Sequence, residues 1–267
     1  MLVAAAVCPH PPLIVPELAG SAASELDPLR TACAEAVRSL VRSGPDSLVR
    51  SGPDLLVVLG GAARSASFPG DAAGTFRPWG VDVRVGRGEP VLPLSLTVGR
   101  WVLDHSGLSE TAVPVGFEAV AFDAPSEECA ALGLRISRAG SRVAVLAMGD
   151  GSARLTEKSP GYLHPAAAPY DEMLADAIGN ARTDRLAALD RAEAEELWVA
   201  GRAVFQVLAA AAGDRSTSPA EPPRPRSPEA ALPDGVRGDT EGGMRGELLY
   251  QDAPYGVGYF VARWTAE

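Results

Sequence analysis

Short apolar runs alternate along the chain with stretches of helical periodicity. Leu2 to Cys8 is almost wholly apolar and stops at Pro9, which predicts a first strand buried on both faces. Asp27-Pro28 then sets a capping residue before a proline at the first helical position. Leu29, Cys33, Val37, Leu40 and Val41 share one face of the helix that follows. Asp54 to Leu59, Val81 to Val85 and Arg142 to Met148 predict further strands, with Leu94 to His105 and Ser126 to Arg138 as helices. Helical spacing returns from Pro169 to Ala212, and Glu247 to Tyr250 and Val257 to Trp264 close the chain as a strand pair around Asp252-Ala253-Pro254-Tyr255-Gly256. Strands joined by crossover helices define an α/β fold: a single domain over residues 1–267, with a mostly parallel central sheet and helices on both faces.

Two segments fit no element. Ser-Leu-Val-Arg-Ser-Gly-Pro-Asp occurs at 39–46 and again at 47–54; two such short copies cannot build a solenoid, so the repeat is read as a lengthened helix-to-strand connection. Residues 213–240 carry six prolines with serine, glycine and arginine and almost nothing large and apolar. Such a segment buries too little surface to offset its ordering entropy, which predicts a mobile loop. Within it, Pro222-Pro223-Arg224-Pro225-Arg226 has the composition of a polyproline II partner motif and equally that of a spacer.

Charge and cysteine usage narrow the functional classes. A net charge of −10 without a basic cluster argues against nucleic acid as a partner. No apolar run approaches the roughly 20 residues that cross a bilayer, and no basic residue precedes the apolar start, so neither a membrane span nor a signal segment is expected. Cys8, Cys33 and Cys129 are odd in number and widely spaced, which suits neither a disulfide framework nor a zinc knuckle and points to a reducing, cytoplasmic setting. The expected partner is a small molecule, with self-association left open.

In open parallel sheets, ligands bind beyond the carboxyl ends of the strands. Three segments follow predicted strands: Cys8-Pro9-His10-Pro11-Pro12, Gly60-Gly61-Ala62-Ala63-Arg64 and Gly149-Asp150-Gly151-Ser152-Ala153-Arg154. If their strands are neighbours, all three line one crevice. The two glycines around Asp150 suit either a binding loop whose N–H groups face a ligand or a tight turn. His10 is read as a metal ligand, a ligand-binding donor or a packing residue held by Pro9 and Pro11. Arg202 is read as an anion-binding group or a packing cap. The candidate ligand pocket is His10, Gly149, Asp150, Gly151, Ser152 and Arg202. His164 lies on a loop long enough to reach the crevice, and His105 suits a helix C-terminus, where the dipole favours it.

Ala-Val-Cys-Pro-His-Pro-Pro at 6–12, Gly-Asp-Gly-Ser at 149–152 and Glu-Glu-Leu-Trp-Val-Ala-Gly-Arg at 195–202 occur in an order that resembles the catalytic subunits of class III extradiol ring-cleavage dioxygenases and the related Memo-type proteins. The stretch 149–161 is most similar to an actinobacterial dioxygenase-like subgroup of unassigned role. The resemblance implies an oxidoreductase with Fe(II) held by two histidines and a carboxylate, leaving open positions for a catechol and O₂. It also implies an additional acid/base histidine. His10 matches the first ligand. The second falls in Gly60-Gly61-Ala62-Ala63 and the acid/base position at Ala153, none of which is histidine. Glu196, or its neighbour Glu195, takes the carboxylate position by the dioxygenase pattern; the Memo-type pattern puts that position at Ala200. A triad reduced to His10 and Glu196 is expected to bind Fe(II) weakly, leaving a degraded dioxygenase or a non-catalytic binding protein.

Overall fold

The computed structural model describes residues 1–41, 52–108, 113–213 and 243–267. Most of the repeat at 39–54 and nearly all of the proline-rich segment at 213–240 lie outside the described residues. The chain runs β1 (Leu2–Cys8), α1 (Pro16–Ala19), α2 (Asp27–Ser39), β2 (Leu55–Ala62), β3 (Ala66–Phe68), β4 (Gly74–Thr75), β5 (Arg84–Val85), α3 (Leu94–His105), β6 (Val115–Ala121), α4 (Ser126–Ser137) and β7 (Val143–Met148). It continues through α5 (Ala167–Gly179), α6 (Thr183–Ala187), α7 (Arg191–Glu196), α8 (Arg202–Gly213), β8 (Met244–Asp252) and β9 (Tyr259–Ala266). Short 3-10 turns fill several of the connections.

Seven strands form one sheet in the order β3-β6-β2-β7-β1-β9-β8. The four central strands are parallel: β2 pairs with β6 and β7, and β7 with β1. β3 adds antiparallel at one edge, and the hairpin of β8 and β9 adds antiparallel to β1 at the other. Because successive side chains in a strand point to opposite faces, each buried run supplies two cores. Ala5, Val7, Val57, Leu59, Val145 and Ala147 pack with α4, α5 and α8. Ala4, Ala6, Leu56, Val58, Ala144 and Leu146 pack with α2 and α3 on the other face. The architecture is the predicted α/β domain with helices on both sides of a mostly parallel sheet.

Three expectations change. Val81 to Val85 does not join the main sheet; only Arg84–Val85 is a strand, paired with β4 in a separate two-stranded ladder. The helical run from 169 to 212 is four helices, with Ala181 and Trp198 turning left-handed in two of the breaks, at φ 50° and 55°. The sequence reading omitted β6. Gly116 and Glu118 interrupt its apolar pattern, yet in register beside β2 they sit on a strand that buries Phe117, Ala119 and Val120.

Helices α4 and α8 cross closely because Gly133 has no side chain: a Cβ there would meet the Val207 carbonyl and stand 2.6 Å from the Ala210 methyl. At Gly116 a Cβ would meet nothing within 4 Å. Gly133→Ala is expected to lower unfolding free energy by about 1–3 kcal/mol through overpacking. Gly116→Ala should stay within about 0.5 kcal/mol of the parent or above it. Urea denaturation of the two variants checks the pair; equal stabilities would refute the tight crossing.

Candidate functional site

Because β7 lies between β1 and β2 and parallel to both, the three post-strand segments meet at one end of the sheet. Their backbone is stitched together. Gly149 N–H donates to the Cys8 carbonyl (3.0 Å), Gly151 N–H to Gly258 (2.8 Å) and Ser152 N–H to Asp171 Oδ1 (2.9 Å). The Asp150 carbonyl accepts from Gly201 N–H at 2.9 Å, and the Ser152 hydroxyl donates to the Leu197 carbonyl at 2.6 Å. Three N–H groups of this segment are therefore spent inside the protein, which corrects the reading of a loop offering them to a ligand. Neither Gly149 nor Gly151 adopts positive φ. They are glycines because of close approach: a Cβ at Gly149 would stand 2.8 Å from the Phe205 ring, and one at Gly151 would stand 2.7 Å from Asp171 Oδ2.

His10 is buried at the end of β1, and its backbone N–H donates to Asp150 Oδ1 at 2.8 Å. The ring Nδ1 stands 3.5 Å from the same oxygen, close enough for charge attraction but without hydrogen-bond geometry, and it has no hydrogen-bond partner. Next to this pair lies a carboxylate that the sequence did not flag. Asp171, on α5, is 5% exposed and wedged between Gly151 and Gly258, with Oδ1 on the Ser152 N–H and Oδ2 unpartnered. Burial pushes its pKa from 3.8 up to about 7, opposed by the Ser152 hydrogen bond. Burial likewise raises the Tyr170 and Tyr259 hydroxyls well above the ordinary phenol range.

The open space at this end lies to one side of these groups. A cavity of about 400 Å³ is lined by Phe122, Asp123, Arg191, Glu195, Trp198 and Arg202, together with the turn between α7 and α8. Phe122 follows the unforeseen β6 and covers Gly61 at the end of β2. Trp198 is 54% exposed with left-handed backbone at φ 55°, a conformation rare for a bulky residue. Its turn is pinned on several sides: the Leu197 carbonyl by Ser152, the Glu196 carbonyl by Arg154 Nη1 at 2.8 Å, and Gly201 N–H by Asp150. Arg202 is 2% exposed and donates to the carbonyls of Ala124 (2.6 Å) and Phe122 (2.7 Å) and to Gln206 Oε1 (2.9 Å), every one an uncharged acceptor.

The remaining candidates separate into pairs. Glu196 points to His164, with Oε1 3.3 Å from Nε2, so the carboxylate proposed beside His10 has another partner. Glu195 lines the cavity instead. His105 ends α3, stacked on Trp101 with its Nδ1 2.8 Å from the Trp101 carbonyl. Cys8 is fully buried in the core. Among the described residues no group of three or more His, Cys, Asp or Glu is arranged to hold a metal ion. The donors present do not fit the two-histidine, one-carboxylate set that the resemblance implies: β2 ends in Gly60-Gly61-Ala62, and Ala153 follows Ser152.

No protein-family model and no curated protein matches the sequence. Among solved structures, the chain is similar to the crystal structure of uncharacterized protein JW3007 from Escherichia coli K12. The likeness has a TM-score of 0.53 at 10% identity and covers 98% of this chain and 99% of that one. At that identity it shows the fold alone. Among the described residues no helix is long and apolar enough to cross a membrane.

Asp171 supplies a pH test. Its folded pKa, about 7, exceeds its ordinary 3.8, so across that interval the folded chain holds a proton that the unfolded chain has released. Stability contributed by this group is therefore full below about pH 4 and falls as pH rises towards 7. Relative to Asp171→Asn, the parent should lose on the order of 2–4 kcal/mol between about pH 4.5 and pH 8. Parallel urea-denaturation profiles for the two proteins across that range would rule out a buried, late-titrating Asp171.

Proposed function

We propose that this chain is a small-molecule-binding protein on a dioxygenase-like α/β scaffold, with its ligand in the cavity at the carboxyl ends of β2 and β6. The observation that carries the reading is the cavity itself: about 400 Å³, flanked by the exposed rings of Phe122 and Trp198, at the end of a parallel sheet where α/β proteins bind ligands. A small aromatic or polar molecule suits that lining. His10 and Asp150 lie at the ends of β1 and β7, outside that lining, and contact each other. A reducing cytoplasmic setting suits the three free, buried thiols.

The competing reading is iron-dependent extradiol cleavage by a rebuilt site. The two separate on metal content. Protein incubated anaerobically with Fe(II) and then desalted should carry iron well below one equivalent, and with O₂ it should leave protocatechuate unconsumed. Stoichiometric iron with a yellow ring-opened product above the buffer blank would overturn the binding-protein reading.

A further inference from the structure

We propose that Cys8 and Cys33 are an oxidation site, a thiol pair that a peroxide reaches through a cavity between α2 and α3 and closes into a disulfide. The pairing follows from two periodicities. Cys8 ends β1 and, with Ala4 and Ala6, points to the face that α2 and α3 cover. Cys33 lies within α2 on its buried stripe, with Leu29, Ala36 and Val37. Strand and helix bring the two thiols into hydrogen-bond contact. Cys129 belongs to the core on the opposite side of the sheet, its thiol 3.9 Å from the Ala124 carbonyl, so the sheet separates it from both.

Two touching thiols are ordinary packing unless one of them can be reached. Cys33 is 1% exposed, yet it lines a cavity of about 240 Å³ together with Glu17, Arg30, Trp101 and His105. Glu17 and His105 are exposed, so the cavity opens to solvent at that rim. A molecule little larger than water, which occupies about 30 Å³ in the liquid, fits such a space. Cys8 is fully buried and does not line the cavity. The roles therefore divide: Cys33 meets the oxidant, and Cys8 meets Cys33.

Hydrogen peroxide supplies the two oxidising equivalents. The Cys33 sulfur, having released its proton, attacks one peroxide oxygen; the O–O bond breaks, and the hydroxide formed takes up a proton as water, leaving a sulfenic acid. The Cys8 sulfur then attacks the Cys33 sulfur, so that the S–S bond forms, the S–O bond breaks and a second water leaves. Two thiols and one peroxide thus give one disulfide and two waters. Burial first, and then the hydrogen bond to Cys8, raises the Cys33 pKa well above its ordinary value, which slows the first step. The same shift denies the reduced pair the stabilisation of a thiolate, which favours the disulfide once formed. The bond ties α2 to the end of β1 at Cys8, whose carbonyl holds Gly149 N–H.

The test incubates the full chain with hydrogen peroxide for hours, follows its fold by circular dichroism, then alkylates it under denaturing, non-reducing conditions and maps the peptides by mass spectrometry. Two of the three free thiols should be lost while the fold persists, as a Cys8 to Cys33 linked peptide that dithiothreitol reverses, with Cys129 alkylated as in untreated protein. Cys8→Ser should stop at a Cys33 sulfenic acid that dimedone traps, and Cys33→Ser should keep Cys8 reduced. Where either variant misfolds, the map of the parent protein decides alone. Both thiols intact under conditions that oxidise a free cysteine peptide in the same tube would overturn the site. So would a link to Cys129, or linkage that appears only as the circular dichroism signal is lost. Oxidation of Cys8 in folded Cys33→Ser, or an unreacted Cys33 in folded Cys8→Ser, overturns entry through the cavity.

Discussion

Everything at the functional end of this molecule follows from one pairing: β7, late in the chain, inserts between β1 and β2 and runs parallel to both. Val145 pairs with Ala5 on one side and Val57 on the other, so three strands end at the same level. That registry carries His10, Gly60-Gly61 and Gly149 to Ser152 to one edge. A strand slipped by one residue would invert its faces and empty both cores. The two hydrophobic layers therefore fix the site's geometry as well as the fold.

Close packing continues that constraint beyond the strand ends. Gly149, Gly151, Gly201 and Gly258 let the segment after β7, the turn before α8, the hairpin and Asp171 approach to distances no side chain would permit. The N–H groups so brought together donate to the carbonyls of Cys8, Gly258 and Asp150 and to Asp171. The open space at this end lies to one side, in the cavity beside Phe122 and Trp198, which the buried Arg202 also lines.

The polar groups at this end divide into three sets with different physics. The buried His10 and half-buried Asp150 form a pair whose contact is shared between a backbone donor and a longer ring approach. Asp171 accepts one backbone hydrogen bond, from Ser152 N–H, and its ionisation is opposed by burial. Glu196 and His164 meet nearer the surface, where solvent weakens their attraction. A metal centre needs such donors converging on one point, and here they form separate contacts.

The sequence by itself determined the alternation of buried strands and amphipathic helices, and with it the α/β class, because backbone periodicity is a local property written in consecutive residues. It also marked which segments follow strands, and so where His10 and Asp150 would lie. It did not reveal β6, whose Gly116 and Glu118 break the apolar run; a neighbour in register, rather than local pattern, makes it a strand. Asp171 left no trace in the sequence, since an acid in a helical stretch is ordinary until two glycines from distant segments close over it. The roles of Arg202 and Trp198 were likewise decided by tertiary structure alone: whether a guanidinium meets carbonyls or an open cavity, and whether an indole is buried or held out in a left-handed turn, depends on what the fold brings beside it.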